Sequence, residues 1–178
     1  RIQYGFDSIS LMPTNLYGPG DNYDSEKSHV MAALIRKFVE ASDNKSEEVT
    51  CWGTGSPFRE FMHTDDLGES VVFALENWDP EKENAPTLKS NKMPLTYLNV
   101  GTGKDISIKN LAELIANISG FKGKIIWDKS KPDGTPKKLL DVSRINKLGW
   151  YSNIKLKDGI LKTINSFREE KKKGILRT

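Results

Sequence analysis

Short apolar runs closed by glycine or proline, alternating with stretches of helical periodicity, constrain this chain more than any other feature. The first run is Ile9 to Leu16, ended by Tyr17-Gly18-Pro19-Gly20. Stopped by residues that cannot continue it, it reads as a buried parallel strand entering a loop, with Ile9 to Met12 a central strand that wants neighbours on both sides. Ser28 is placed to cap a helix from His29 to about Ala41, with Val30, Leu34 and Phe38 at i, i+4 and i+8 on one face. Extended pieces are expected at Val49 to Trp52 and Phe58 to Met62, either side of Gly53-Thr54-Gly55-Ser56-Pro57. Thr64 or Asp65 caps the next helix, which carries Val71, Val72 and Leu75 and ends near Asn77. The polar stretch from Asp79 to Met93 reads as a surface excursion.

Leu98-Asn99-Val100 is a strand ending in Gly101-Thr102-Gly103, read as a strand-to-helix turn. Ser107 caps an amphipathic helix through Leu111, Leu114, Ile115 and Ile118, closed by Gly120. Lys124 to Trp127 is a strand, Ser143 to Leu148 a short helix stopped by Gly149, and Leu156 to about Lys172 a helix burying Ile160, Ile164 and Phe167. This alternation argues for α/β layers with some parallel strands. No G-x-G-x-x-G follows a strand; Gly101-Thr102-Gly103-Lys104 comes nearest and lacks the third glycine.

Composition narrows the function classes. With 178 residues, 37% hydrophobic and 29% charged, the chain suits one globular domain. The net charge of +3 has no dominant block beyond Lys171-Lys172-Lys173 near the carboxyl end, so no nucleic-acid face is expected. No apolar run reaches the roughly 20 residues of a membrane span. Cys51 is the sole cysteine, which forbids an intrachain disulfide and favours a reducing, cytoplasmic setting. Two separated histidines and one cysteine give no zinc spacing, and no metal is expected.

Three clusters carry chemistry. Pro13-Thr14-Asn15-Leu16 sits at a strand end before a Gly-Pro turn, where open α/β sheets bind ligands, though Asn and Pro are also ordinary turn residues. Trp52, Gly53, Gly55, Pro57 and Arg59 suit a nucleotide diphosphate: the indole packs against a ring face and the guanidinium offers a planar fork to phosphate oxygens. The competing reading is a core aromatic, with Arg59 paired to Glu60 or Asp65. The stretch Lys131 to Asp141, stiffened by two prolines and a glycine, offers Asp133 to sugar or ribose hydroxyls and Lys138 to phosphate; taken alone it is a charged surface loop. His29, at a helix start, is of a residue type that exchanges protons near neutral pH; a surface or capping histidine is the alternative. His63 reads as structural, held by Asp65 and Asp66.

In this order and spacing the clusters resemble the GDP-L-fucose synthase family of extended short-chain dehydrogenases/reductases. The matching stretches are Pro13 to Pro19 with Asp21-Asn22, Ser28-His29-Val30, Trp52 to Phe61, and Asn99 to Gly103. The most selective is Lys131 to Asp141, followed by Leu148-Gly149-Trp150. The resemblance implies the later part of a Rossmann-like fold plus a small α/β substrate-binding lobe, with residues 1–178 forming the carboxy-terminal substrate-binding part of an NAD(P)-dependent epimerase/reductase. It implies epimerisation of GDP-4-keto-6-deoxy-D-mannose at C3 and C5 and reduction at C4, with NADPH as cofactor, a GDP-sugar as substrate and a homodimer as the assembled enzyme. It assigns His29 as the epimerisation acid, Pro13, Thr14, Asn15, Leu16 and His29 to the cofactor, and Lys37, Trp52, Arg59, Asp133 and Lys138 to the GDP-sugar.

The family's Ser and Tyr-x-x-x-Lys set, its glycine-rich phosphate loop and its cysteine base are expected to lie before Arg1. Tyr4 is followed at position 8 by Ser rather than Lys, and Cys51 directly precedes Trp52. A carboxy-terminal fragment, inactive alone, is therefore expected. The rivals are another nucleotide-sugar epimerase or dehydratase of the same superfamily and a non-catalytic GDP-sugar-binding module.

Overall fold

The computed structural model of the protein describes residues 3–6, 8–82, 85, 87–88 and 93–178. Among these the order is β1 (Ser10–Pro13), β2 (Asn15–Tyr17), α1 (Val30–Asp43), β3 (Glu48–Trp52), β4 (Phe58–His63) and α2 (Thr64–Asn77). It continues with β5 (Tyr97–Val100), β6 (Asp105–Ser107), α3 (Ile108–Ser119), β7 (Lys124–Asp128), β8 (Lys137–Lys138), α4 (Ser143–Leu148) and α5 (Leu156–Lys173). The α/β alternation read from the sequence is present, and among the described residues four of the five strand pairings are parallel.

The run read as one central strand is two. β1 pairs in parallel with β5 from Ser10↔Tyr97 to Pro13↔Val100, whereas β2 pairs in parallel with β4 from Asn15↔Phe61 to Tyr17↔His63. The switch falls at Thr14, whose amide still donates to Val100 O at 3.0 Å. Its hydroxyl donates to Glu60 O at 3.2 Å and the Asn15 amide nitrogen to the same oxygen at 2.7 Å, pulling the chain onto β4. Pro13, without an N–H, closes β1 where the ladder changes partner. Among the described residues β1 has one neighbour, β5, not two.

β4 organises the site. Its second half carries β2, while its first half pairs antiparallel with β6 (Phe58↔Ser107 to Glu60↔Asp105) and parallel with β8 (Phe58↔Lys137, Arg59↔Lys138). Gly101-Thr102-Gly103 accordingly turns from β5 into β6, not directly into a helix; α3 begins only at Ile108, with the Ser107 hydroxyl accepting from Asn110 N at 3.1 Å. β6 and β8, at 3 and 2 residues, are too short to leave an alternating pattern in sequence.

The main core lies where α1, α3 and α5 pack together over β3 and β7. Ile35, Phe38, Leu111, Ile115, Ile160, Ile164 and Phe167 are all fully buried there. Phe38 tilts against Phe121 with ring centroids 5.5 Å apart, and Tyr23 meets Phe167 edge-on at 4.7 Å. Smaller clusters sit beside β1 and β5: Met62, Val100, Val142, Ile145 and Trp150 in one, Ala74, Trp78, Leu95 and Leu98 in the other. α1 starts one residue later than its pattern implied, and His29, not Ser28, is its N-cap residue, without a side-chain capping bond. Leu34 and Phe38 are buried as expected, but Val30 is 37% exposed because it lines the site. α2 turns Asp66, Ser70 and Ala74 inward and leaves Val71, Val72 and Leu75 exposed. The Asp79–Met93 excursion lies partly outside the described residues; within them Thr87 bridges Pro94 and Leu88 N donates to Met93 O at 2.8 Å.

Candidate nucleotide-sugar and cofactor site

Three hollows meet around Val30 at the start of α1. The first, about 500 Å³, is lined by Thr14, Asn15 and Leu16 from the β1–β2 switch, by His29, and by Asp21 and Arg177. The second, about 190 Å³, is lined by Trp52, Pro57, Arg59, Ile108, Asp133 and Gly134. The third, about 240 Å³, has Lys37, Cys51, Trp52 and Trp127 in its wall. Val30 lines all three, and Trp52 and Ile108 join the last two into one cleft. Thus the fold brings Thr14, Asn15, Leu16 and His29 together on one side, and Lys37, Trp52, Arg59 and Asp133 on the other. Pro13 and Lys138 line none of these hollows; Pro13 is spent ending β1, and Lys138 lies in β8 opposite Arg59.

Trp52 ends β3 with an alternating pattern that buries Val49 and Cys51 and leaves its own indole 61% exposed. Lys37 Nζ lies 5.4 Å from the ring centroid while donating to Thr50 O at 3.0 Å. Lys131 Nζ lies at 5.5 Å from the same ring. An exposed indole with two ammonium groups at cation–π range is poorly explained as core and well suited to an anionic aromatic ligand. The sequence marks Lys131 only as the start of the 131–141 stretch; its place beside Trp52 was not legible, because a lysine in a loop carries no periodic signal.

Arg59 is paired with neither Glu60 nor Asp65; its Nη1 donates to Phe58 O at 2.7 Å. Gly134 leaves room for the guanidinium, since a Cβ there would sit 2.9 Å from Nη2. Asp133 closes the cleft from the opposite loop. Its carboxylate accepts from Thr54 N at 2.9 Å and from the Thr54 hydroxyl at 2.6 Å, bonds that hold it below the usual carboxylate range. Asp133 therefore already pins the Gly53–Thr54 turn; each oxygen retains one further acceptor position for a ligand hydroxyl. Gly53 has φ +78°, and a side chain there would collide with Asp133. Burial pushes the Cys51 thiol up, opposed by Lys37, which makes it a poor nucleophile.

On the other side, the backbone oxygen of His29 accepts from Ala33 N at 2.9 Å, starting α1, and the imidazole makes no capping bond. The ring thus stands at the cavity wall with Asp21 and Arg177. Asp21 is raised above the usual carboxylate range, chiefly by burial; the Asn22 amide, His29 and Arg177 draw it partly back. Arg177 was not legible in sequence: it arrives from beyond α5 because Tyr23 N donates to Arg177 O at 2.8 Å. His63 is the buried structural histidine expected, its Nδ1 accepting from Asp65 N at 3.2 Å.

Tyr-x-x-x-Lys spacing occurs at Tyr23/Lys27 and at Tyr151/Lys155, both in loops rather than one turn apart on a helix. Tyr23 is fully buried against Phe167 and burial drives its phenol well above the ordinary value, so it belongs to the core rather than to proton transfer. Among the described residues no group of three or more His, Cys, Asp or Glu could hold a metal ion, and no helix is long and apolar enough to cross a membrane.

Parallel strands ending in polar side chains, beside a cleft walled by an exposed indole and fixed cations, define an α/β ligand-binding protein of the nucleotide-dependent kind. Residues 1–86 match the model of the NAD dependent epimerase/dehydratase family. The chain is 48% identical over 169 residues to the probable GDP-L-fucose synthase 1 of Oryza sativa subsp. japonica, covering 95% of this chain and 47% of the relative. Among solved structures it is similar to a GDP-6-OMe-4-keto-L-xylo-heptose reductase from C. jejuni, with 36% identity and a TM-score of 0.84 over 95% of this chain and 56% of that one. A GDP-mannoheptose C4 reductase from Campylobacter jejuni with NADP bound gives 34% identity and a TM-score of 0.76, over 94% and 55% of the two chains. The similarity to the NAD dependent epimerase/dehydratase family thus rests on residues 1–86, and the chain spans about half the length of the curated relatives it matches.

Proposed function

We propose that this chain forms the substrate-binding part, residues 1–178, of an NADPH-dependent enzyme that converts GDP-4-keto-6-deoxy-D-mannose to GDP-L-fucose. The observation that carries the reading is the meeting, at Val30, of a cleft suited to a nucleoside diphosphate with a cavity walled by a histidine. Trp52 offers a face to a ring, Lys37 and Lys131 flank it, and Arg59 supplies donors to the diphosphate. Asp133 accepts from a sugar or ribose hydroxyl pair; Lys138, opposite Arg59 in β8, lies outside the hollow and would reach a phosphate only from its rim.

The donor set fits a nicotinamide cofactor. Thr14 Oγ1 spends its proton and Asn15 Nδ2 one of its two on Glu60 O, which leaves the Thr14 and Asn15 side-chain oxygens as acceptors, and one Asn15 N–H as a donor, for a carboxamide or ribose hydroxyl. Leu16 completes that wall, and Pro13 ends the strand that leads into it. The C4 hydride is what NADPH supplies. The C4 ketone acidifies the protons on C3 and C5, and His29 delivers a proton to the carbon centre on its face of the sugar. Reduction at C4 then removes the ketone and fixes the new configuration.

A second reading, reduction of a related GDP-4-keto sugar without epimerisation, is favoured by the C. jejuni heptose reductase match. Proton NMR in D2O separates the two. The protein carrying this sequence, given GDP-4-keto-6-deoxy-D-mannose, is expected to wash deuterium into C3 and C5, and His29→Gln to slow this at least 100-fold. Reduction without wash-in would select the second reading, and turnover confined to UDP- or dTDP-sugars would overturn both.

A further inference from the structure

Glu60 is fully buried in the middle of β4, yet no cation faces its carboxylate within ion-pair distance among the described residues. It is satisfied instead by backbone. Oε1 accepts from Thr102 N at 2.6 Å and Gly103 N at 2.7 Å, with the Thr102 hydroxyl at 3.3 Å. Oε2 accepts from Leu140 N at 3.0 Å. A Cβ on Gly101 would collide with Oε1, so the turn after β5 is shaped around this carboxylate. The same residue's carbonyl oxygen receives Thr14 and Asn15.

One side chain and one carbonyl thus tie three segments together: the Thr14–Asn15 wall, the Gly101–Gly103 turn, and the end of the 131–141 loop. That loop carries Lys131 and Asp133 into the Trp52 cleft. A buried carboxylate met by three directed N–H groups and a hydroxyl, and by no cation among the described residues, is a costly element to retain for packing alone, because an apolar side chain would fill the space without needing those partners. We infer that Glu60 is a positioning residue: through Leu140 it sets the 131–141 loop against the Trp52/Arg59 cleft, and through its carbonyl it sets the facing cavity wall. The effect on ligand binding rests on the nucleotide-sugar reading above; the anchoring of the loop does not.

Glu60→Gln separates the two arms. The remaining carbonyl oxygen still accepts from Thr102 and Gly103, but an NH2 group then faces the Leu140 N–H, donor against donor. Amide hydrogen exchange and GDP titration calorimetry on the full chain provide the readouts. The expected result is Leu140 exchange faster by at least tenfold and GDP affinity lower by about tenfold, with α3 amides unchanged and a cooperative thermal transition retained. Glu60→Asp, which keeps the charge but lacks the reach to span both arms, is expected to give the same loop release and serves if the Gln variant does not fold. Unchanged exchange at Leu140 would overturn the anchoring. Faster Leu140 exchange with GDP affinity unchanged would reduce Glu60 to a structural residue. If the wild-type chain takes up no GDP, the nucleotide-sugar reading fails, while the exchange comparison still decides whether Glu60 holds the loop.

Discussion

The region built from α1, α3, α5, β3 and β7 and the region built from β1, β5 and α2 have similarly patterned sequences and very different surfaces. In the first, the apolar faces of the helices meet one another, and Ile35, Phe38, Leu111 and Phe167 reach zero exposure. In the second, β1 is mostly exposed, Met12 and Tyr97 are open, and α2 presents Val71, Val72 and Leu75 to solvent, the last at 71%. Periodicity in a sequence identifies which residues share a face; it does not name what the face packs against. The Trp52 cleft lies on the closed side of this division, whereas the Thr14–Leu16 wall lies at the β1–β2 switch beside the open one.

The comparison makes a ranked set of expectations. Phe38→Ala should cost about 3–5 kcal/mol, because it opens a void against Phe121 in the fully packed core; urea unfolding reads it directly. A loss below about 1 kcal/mol would show that the core is looser than its burial implies. Trp52→Ala should lower GDP affinity about tenfold while leaving the unfolding midpoint nearly unchanged, since the indole is exposed and its loss opens no cavity. A large drop in stability there would make Trp52 a packing residue after all.

A smaller effect attaches to pH. Burial holds the His63 imidazole below its ordinary value, with Asp65 opposing. On acidification the unfolded chain therefore takes up this proton first, so stability present above about pH 6.5 declines as pH falls below it. His63→Gln should flatten that decline between pH 7 and pH 5; an identical decline in the variant would exclude His63 as its source. Smallest of all, Leu75→Ala should change stability by no more than about 0.5 kcal/mol, against the several expected for Phe38. Comparable losses at the two positions would erase the distinction between the regions.

Much of the candidate cleft is legible in the sequence. Trp52, Arg59 and Asp133 announced themselves through the Gly/Pro turns that carry them, and those turns do converge on one cleft. The helices were legible to within a residue or two, because each carries enough apolar positions to show its face. What escaped has physical reasons. The break at Thr14 is made by side-chain bonds to Glu60 O, a contact across 46 residues that no local pattern encodes. β6 and β8 borrow their structure from β4. Glu60 itself looked like one more charged residue beside an arginine, since a sequence shows a carboxylate's charge but not the three amides that surround it. α2 carries Val71, Val72 and Leu75 as the sequence implied, and the structure leaves all three exposed.

The central claim is that the Trp52 cleft takes a guanosine diphosphate sugar. Titration calorimetry of the chain with GDP, UDP and dTDP, repeated on Arg59→Ala, tests it most directly. The account predicts saturable one-to-one binding of GDP, at least tenfold weaker binding of UDP and dTDP, and loss of most of the GDP affinity without Arg59. Equal or stronger binding of UDP or dTDP, or GDP binding untouched by the Arg59 substitution, would contradict it.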